Sequence, residues 1–258
     1  MQSIPDDVDY YLGIPKLKTV PTESTDNYLK AVFEITAVQE RASTTEIARR
    51  LKVSAASVTG MLKKLASAAP ALVTYTKHRG AELTHEGQER AIEVIRHHRL
   101  IESYLHEALD YGWDEVHEEA EKLEHFISED LEDRMAAKLG FPEYDPHGHP
   151  IPRRNGTIPS CEDIALRLIA EGATVRVNRV SDDDAECLRT VANLGIALYS
   201  TMVVLEQRKT GGETVLRNAV GSTVTLSREI AARLRVTLVS EAITGESELS
   251  TAVLEVER

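Results

Sequence analysis

The sequence has few of the residues that define several common protein classes. Its 258 residues include two cysteines and one tryptophan, and 5% are aromatic. Cys161 and Cys187 are too few and too far apart for a disulfide framework or a zinc knuckle. No apolar run approaches the roughly 18 residues of a membrane span, and the N-terminus lacks the pattern of a signal peptide. We therefore expect a cytoplasmic protein with no membrane partner.

Basic residues are in the minority overall but are concentrated in one segment. The formal net charge of −12 argues against a protein that coats nucleic acid. Between positions 41 and 90, however, basic residues such as Arg49, Arg50, Lys63 and Lys64 outnumber the acidic ones. A local surface of this kind can still bind phosphate.

Composition divides the chain into three parts. Residues 1–90 hold an N-terminal extension and the basic segment, and residues 91–152 are acidic and helical in pattern. The helical part closes in the Pro/Gly-rich stretch FPEYDPHGHPIPRRNGTIP, which cannot continue a helix. Residues 153–258 hold a linker and short β-branched runs such as TVRVNRV, broken by Gly-containing turns, which predict a small β-barrel. The chain is thus predicted to be α+β.

The basic segment predicts two short helices followed by a hairpin. Ser43 or Thr44 can cap the first helix, and Ser54 can cap a second helix that turns Val58 and Leu62 inward. The run LVTYTKHRGAELT then alternates as two strands around a tight turn. Together these elements predict a winged helix-turn-helix at the N-terminal end of the chain.

Such a domain typically places its second helix in the major groove of DNA. On that helix hydroxyl and amino donors are available, and basic side chains at the wing tip can meet phosphate. The predicted DNA-binding residues are Ser54, Ser57, Thr59, Lys63, Lys77 and Arg79. The alternative is a three-helix fold that packs or binds protein without binding DNA.

Histidine and glutamate recur on the inward faces of two predicted helices. If EVHEEAEKLEHFIS, residues 115–128, is one helix, His117, Glu121, Glu124 and His125 share a face beside an apolar stripe. Partly desolvated carboxylates are costly unless paired, and a divalent metal would offset that cost. In the preceding helix, His98 and Glu102 interrupt an otherwise apolar seam. Taken singly, each helix also fits salt bridging, but the convergence favours a metal site.

The order of these motifs resembles that of a known family. A winged helix-turn-helix, then HHRLIESYL, DEVHEEAEKLEHFIS and PHGHPIP, is similar to the diphtheria toxin repressor and manganese transport regulator family of metal-dependent bacterial transcription factors. The resemblance covers residues 24–152 well and the β-rich remainder more loosely. It implies a homodimer on a palindromic operator, with metal loading setting the separation of the two recognition helices. It also implies that the C-terminal β domain is SH3-like, of the FeoA type.

The resemblance also implies two ligand sets. Glu121, Glu124 and His125 match the primary metal site, joined by Asn27 where the family often has Met in iron sensors and Asp in manganese sensors. An ancillary set is implied for His98, Glu102 and His117 with Asp182 from the β domain, and Asp184 is a rival for the last position. Lys30 departs from the family, because some manganese-type members have a Glu ligand there.

The ligand chemistry favours a hard divalent ion. Glu121 replaces the cysteine of iron-type members, which leaves only nitrogen and oxygen donors in the primary site. We therefore expect Mn²⁺, with Fe²⁺ as the alternative and Zn²⁺ or Co²⁺ as surrogates. The predicted function is a manganese-responsive or iron-responsive repressor of metal uptake genes. No separate base, nucleophile or substrate loop accompanies the ligands, so we do not expect an enzyme such as a metallohydrolase. The remaining alternative is a metal-independent DNA-binding or scaffold protein with a relic cluster.

Overall fold

The computed structural model describes residues 10–11, 14–15, 22–208 and 212–240. Most of the N-terminal extension named above lies outside these residues. The chain forms two compact units. The first comprises the described residues up to Asp110 with Glu118–Asp145 and Pro150–Pro159, and the second comprises Tyr111–His117, Pro146–His149 and the described residues from Ser160 onward. Within the described ranges, no helix is long and apolar enough to cross a membrane.

The first unit contains the predicted winged helix-turn-helix. Its core is formed by apolar side chains of three helices and a hairpin, among them Leu29, Ile47, Val58 and Leu62. The elements are β1 (Tyr10–Tyr11), β2 (Ile14–Pro15), α1 (Glu23–Thr36), α2 (Thr44–Arg50), α3 (Ala55–Ala66), β3 (Val73–Thr76) and β4 (Gly80–Leu83). Strands β3 and β4 pair antiparallel, so the predicted wing is confirmed.

Serine side chains start both helices of the helix-turn-helix. The Ser43 hydroxyl accepts from the Glu46 backbone N–H, and the Glu46 carboxylate reaches back to Ser43, which is a complete capping box. Ser54 caps α3 in the same way by accepting from Ser57. Because these caps satisfy N–H groups that a helix cannot satisfy itself, they fix where the helices begin. Both predicted caps are confirmed, with Ser43 rather than Thr44 at the first.

Three further helices follow, and all of their residues except Val116 and His117 of the second belong to the first unit. They are α4 (His85–Leu109), α5 (Val116–Leu123) and α6 (Glu129–Lys138). Helix α4 packs against α1, and α6 is attached to α4 by a buried ion pair between Arg96 and Glu132. The Arg96 guanidinium also donates to the Pro152 carbonyl at 2.6 Å, which holds the segment after α6.

The prediction of one helix over residues 115–128 is wrong. Helix α5 ends at Leu123, residues 124–126 form a turn, and the Ser128 side chain caps α6 by accepting from the Leu131 N–H. The acidic residues that follow Ser128 favour a helix start there, because they face the positive end of the helix dipole. Leu123 in α5 and Leu131 in α6 are 38% and 45% exposed, so the predicted apolar stripe is not buried along its whole length.

The second unit holds the predicted β domain. Its six-stranded antiparallel sheet has the order β5–β10–β6–β7–β8–β9, and two helices accompany it. The elements are β5 (Ile164–Ala165), β6 (Thr174–Val180), α7 (Ala185–Asn193), β7 (Thr201–Gln207), β8 (Thr214–Asn218), β9 (Thr223–Leu226), α8 (Arg228–Arg233) and β10 (Leu234–Ser240). Buried valines and leucines of the sheet, with Leu188 and Val191 of α7, form its core. The predicted α+β class is confirmed.

The PHGH part of the PHGHPIP motif packs against strand β6. The pairing of β6 with β10 skips Asn178, which makes a bulge, and a Cβ on Gly148 would lie 2.0 Å from the Asn178 carbonyl oxygen. Gly148 also has a φ of +87°. Next to it, the Val180 N–H donates to the His147 carbonyl at 3.0 Å. Only glycine permits this close approach of two backbones.

Candidate metal centre and nucleic-acid interface

Four predicted primary ligands lie together in the first unit. Asn27 projects from α1, Glu121 lies near the end of α5, and Glu124 and His125 lie in the turn after it. The Asn27 Oδ1 atom is 3.0 Å from His125 Nε2, and Glu124 Oε1 is 3.4 Å from the same nitrogen. Glu124 is only 1% exposed, so its carboxylate depends on partners within the protein.

Lys30 contacts two members of this cluster and the neighbouring His98. Its Nζ atom lies 2.7 Å from Glu121 Oε1, 3.0 Å from Glu124 Oε2 and 3.1 Å from His98 Nδ1. Burial alone lowers the pKa of Lys30, but the charges of Glu124 and Glu121 outweigh it, so the pKa lies above its usual value. Lys30 is therefore a cation within the cluster.

His98 faces a carboxylate on each side of its ring. Its Nε2 atom is 2.9 Å from Glu102 Oε1, and its Nδ1 atom is hydrogen-bonded to Glu124 Oε2. Burial lowers the pKa of His98, but Glu102 and Glu124 outweigh it and raise the pKa to about 10. The contact with His98 in turn keeps the pKa of Glu124 low against the opposing effect of burial. A metal ion that bound His98 would have to displace the ring proton.

The donor atoms fit a hard divalent ion. His98, Glu121 and Glu124 each offer one donor atom, and these three atoms lie within 4.8 Å of one another. With Asn27 and His125 nearby, the cluster offers carboxylate, amide and imidazole donors and no sulfur. Such a set suits Mn²⁺ or Fe²⁺ better than a soft ion. His98, predicted for the ancillary set, therefore also faces the primary ligands.

Asp26 and Arg90 support His125 and were missed by the sequence reasoning. The His125 Nδ1 atom lies 3.4 Å from Asp26 Oδ2. Arg90 holds the same carboxylate with two hydrogen bonds, of 2.9 Å from Nε and 2.7 Å from a terminal nitrogen. Burial raises the pKa of Asp26, but the bonds from His125 and Arg90 outweigh it and lower the pKa. A carboxylate behind the second ring nitrogen is a common means of orienting a metal-binding histidine.

The predicted ancillary residues are distributed over both units. His98 and Glu102 belong to the first unit, whereas His117 and Asp182 belong to the second. Within the second unit, Asp182 Oδ2 lies 3.8 Å from His117 Nδ1 and 3.6 Å from His149 Nδ1. His149 was missed, although the PHGHPIP motif carries it. The grouping of the four residues into one ancillary site stays a prediction.

Asp184, the alternative to Asp182 as an ancillary metal ligand, is used in structural contacts. Its carboxylate caps α7 by accepting from the Cys187 N–H at 3.1 Å, and it lies 3.3 Å from the Arg233 guanidinium. A carboxylate used as a helix cap is less available to a metal ion. This contact favours Asp182 for the ancillary role.

The six predicted DNA-binding residues lie on α3 and at the wing. Five are exposed, and Thr59 is half-buried. The Ser54 hydroxyl is used as the α3 cap, and the Thr59 hydroxyl donates to the Ala55 carbonyl at 2.9 Å, so these two offer less to a base edge than the sequence suggests. Lys63 on α3 and Lys77 and Arg79 at the wing are exposed, as contact with phosphate requires.

Family models match three segments of the chain. The model described as "Iron dependent repressor, N-terminal DNA binding domain" matches residues 21–81. The model described as "Iron dependent repressor, metal binding and dimerisation domain" matches residues 84–153. The FeoA domain model matches residues 164–238. These matches agree with the winged helix-turn-helix, the His/Glu-rich helices and the β domain.

Similar proteins cover most of the chain. A solved structure described as a manganese-dependent transcriptional repressor in complex with manganese is 39% identical, with a TM-score of 0.77, and the match covers 83% of this chain and 99% of that one. The manganese regulator SloR is 30% identical, with a TM-score of 0.70 and coverage of 85% and 100%. The iron-dependent repressor IdeR of Mycobacterium tuberculosis is 28% identical over 226 residues, which are 83% of this chain and 96% of IdeR. The chain therefore belongs to the diphtheria toxin repressor and manganese transport regulator family of metal-dependent transcriptional regulators.

Proposed function

We propose that this protein is a transcriptional repressor that binds its operator when a divalent metal ion fills the cluster of Asn27, Glu121, Glu124 and His125. The observation that carries the proposal is the position of this cluster between α1 and the turn after α5, with buried Glu124 at its centre. The residues are of a type that binds metal, and α1 belongs to the core of the DNA-binding domain.

Helix α1 gives the cluster a mechanical connection to DNA binding. Leu29 and Val32 of α1 pack in one core with Ile47 of α2 and Leu62 of α3. Because this core is close-packed, a shift of α1 is passed on to α3. A metal ion held by Asn27 on α1 and by Glu124 would fix α1 against the α5 turn. The packing of α1 in one core with α3 would then orient α3, the proposed recognition helix.

We propose Mn²⁺ as the metal, because the donors are nitrogen and oxygen only. Similar proteins are named for manganese and for iron, so Fe²⁺ is the alternative. Zn²⁺ and Co²⁺ would be surrogates in vitro. The ancillary set of His98, Glu102, His117 and Asp182 remains part of the proposal, supported by the His98–Glu102 bond and by the approach of His117 to Asp182.

The proposed partner is double-stranded DNA, bound by a homodimer in the cytoplasm. A two-fold pair of recognition helices reads a palindromic site most simply. In this proposal residues 1–90 bind DNA, residues 91–152 bind metal and dimerise, and residues 153–258 form the linker and FeoA-type domain. Ser54, Ser57, Thr59 and Lys63 would lie along the major groove, where Lys63 would also reach phosphate, while Lys77 and Arg79 would meet phosphate from the wing.

A band-shift titration tests the proposal. We expect the protein to retard a palindromic promoter fragment in the presence of Mn²⁺ and to lose this activity when the metal is chelated. A fragment with only one half-site should bind far more weakly, because one protomer of the dimer then lacks its site. Equal retardation with and without metal would select the metal-independent alternative instead.

Basic residues on α3 and the wing should control the salt dependence of binding. We expect Lys63→Ala and Arg79→Ala each to weaken binding to all DNA sequences and to reduce the slope of log affinity against log salt by about 1, since each removes one phosphate contact. Band shifts at several salt concentrations measure the slope. Arg134→Ala on α6, also an exposed arginine, is the matched control and should leave it unchanged. A wild-type slope for Lys63→Ala or Arg79→Ala would remove that residue from the interface.

A further inference from the structure

Lys30 lies among the candidate metal ligands. The side chain projects from α1 and is 8% exposed. Its Nζ atom is within 3.1 Å of donor atoms from α4 and α5 and from the turn after α5, as shown by its contacts with His98, Glu121 and Glu124. These three residues also form a group that could hold a metal ion.

We propose that the Lys30 ammonium is a tethered cation that neutralises the carboxylates of the cluster in the metal-free protein and competes with the metal ion for them. The inference rests on the proposed function, because it assumes that Glu121 and Glu124 are ligands. It adds a regulatory role for a residue that is not itself a ligand: Lys30 sets the metal concentration at which the cluster fills.

The charges explain why a cation is needed there. Glu121 and Glu124 are one helical turn apart and would repel each other without a positive partner. Glu124 is almost fully buried, and a buried carboxylate left without a partner is strongly destabilising. The ammonium meets both carboxylates, at 2.7 Å and 3.0 Å, and thereby satisfies them without a metal ion.

The same contacts oppose metal binding. A divalent ion that takes Glu121 and Glu124 must either displace the ammonium or bind next to it. In the first case the Lys30–carboxylate bonds are lost, and in the second case two cations repel at short range. Both cases lower the affinity for metal. A protein that must stay off its operator at low metal concentration needs such a threshold.

The variant Lys30→Met tests the inference, because methionine keeps the length of the side chain without its charge. We expect the metal-free variant to melt at a lower temperature than the wild type, since Glu121 loses the Lys30 ammonium and Glu124 keeps only its bond to His98. We also expect its affinity for Mn²⁺ to rise by about tenfold or more, because one like charge has been removed beside a divalent ion. Calorimetric titration with MnCl₂ and thermal unfolding in chelator measure the two effects.

Lys122→Met is the matched control. Lys122 lies on the exposed face of α5, where its ammonium is 2.8 Å from Glu119 and 65% of its side chain is exposed. An exposed pair of this kind contributes little to stability. We expect this variant to match the wild type in both measurements.

A double variant separates the charge effect from poor folding. If Lys30 neutralises Glu121, then adding Glu121→Gln to Lys30→Met should recover part of the lost melting temperature in chelator. If Lys30 serves only in packing, Lys30→Met should melt at a lower temperature with no gain in Mn²⁺ affinity, and the double variant should recover none of the lost melting temperature. That result would overturn the inference. The melting experiments contain neither metal nor DNA. They can therefore support the tethered cation even if the band shift of the wild type contradicts the proposed function.

Discussion

The variant Glu124→Gln is expected to lose Mn²⁺-stimulated operator binding while it remains folded. Glu124 is 1% exposed and contacts both Lys30 and His98, so its carboxylate is at the centre of the cluster. A neutral amide in its place removes one anionic ligand, and we expect the affinity for Mn²⁺ to fall by about 100-fold or more, beyond the 10–100-fold typical of supporting residues. Calorimetric titration and band shifts with Mn²⁺ measure the loss.

The stability of the same variant should fall only moderately. Lys30 and His98 lose a shared anion, which costs about 1–3 kcal/mol, but the apolar core around Leu29 and Val32 does not contain Glu124. Circular dichroism should therefore show a folded protein with a lower melting temperature. Glu118→Gln, on the exposed face of α5, is the matched control and should behave as wild type. Should Glu124→Gln bind Mn²⁺ as tightly as the wild type, the primary-site assignment is wrong.

Gly87→Ala is expected to destabilise the DNA-binding domain strongly. Gly87 lies in the first turn of α4, and a Cβ there would be 1.9 Å from the Leu72 carbonyl oxygen. That oxygen accepts the Thr84 N–H at 3.1 Å, so it cannot retreat without breaking the junction between β4 and α4. Overpacking costs about 1–3 kcal/mol when side chains yield, and backbone yields less readily. Urea denaturation should show a lower midpoint.

Gly60→Ala makes the same chemical change, but we expect it to stabilise the DNA-binding domain. Gly60 lies in the interior of α3, and an added Cβ would meet no atom within 4 Å. Alanine is favoured over glycine in a helix interior by about 0.5–1 kcal/mol, so the midpoint should rise. Equal midpoints for Gly87→Ala and the wild type would mean that the chain approaches Leu72 less closely than the structure shows.

Local sequence signals were sufficient for the winged helix-turn-helix. Ser43 and Ser54 precede apolar residues at helical spacing, and the burial of Val58 and Leu62 follows from that spacing. Both the cap and the buried face are properties of residues near one another in sequence. The prediction could therefore succeed without knowledge of tertiary contacts.

Three features of the cluster could not be read from local patterns. The end of α5 at Leu123 was missed because the helical spacing continues through Ser128, and spacing does not show that the Ser128 cap begins a new helix. Lys30 was recognised as a departure from the family, but its contacts join residues 68, 91 and 94 positions away. Periodicity carries no information about contacts of that range. The support of His125 by Asp26 and Arg90 was hidden for the same reason.

The early end of α5 also directs an electric field at the cluster. The aligned peptide dipoles of a helix leave partial negative charge on the carbonyls of its last turn. Because α5 stops at Leu123, that negative end lies immediately before Glu124, whose carboxylate contacts the Lys30 ammonium. Such a field favours a nearby cation by about 0.3–1 kcal/mol, whether the cation is an ammonium or a metal ion. A single helix through Ser128 would carry its negative end about one turn further along the chain and weaken this attraction.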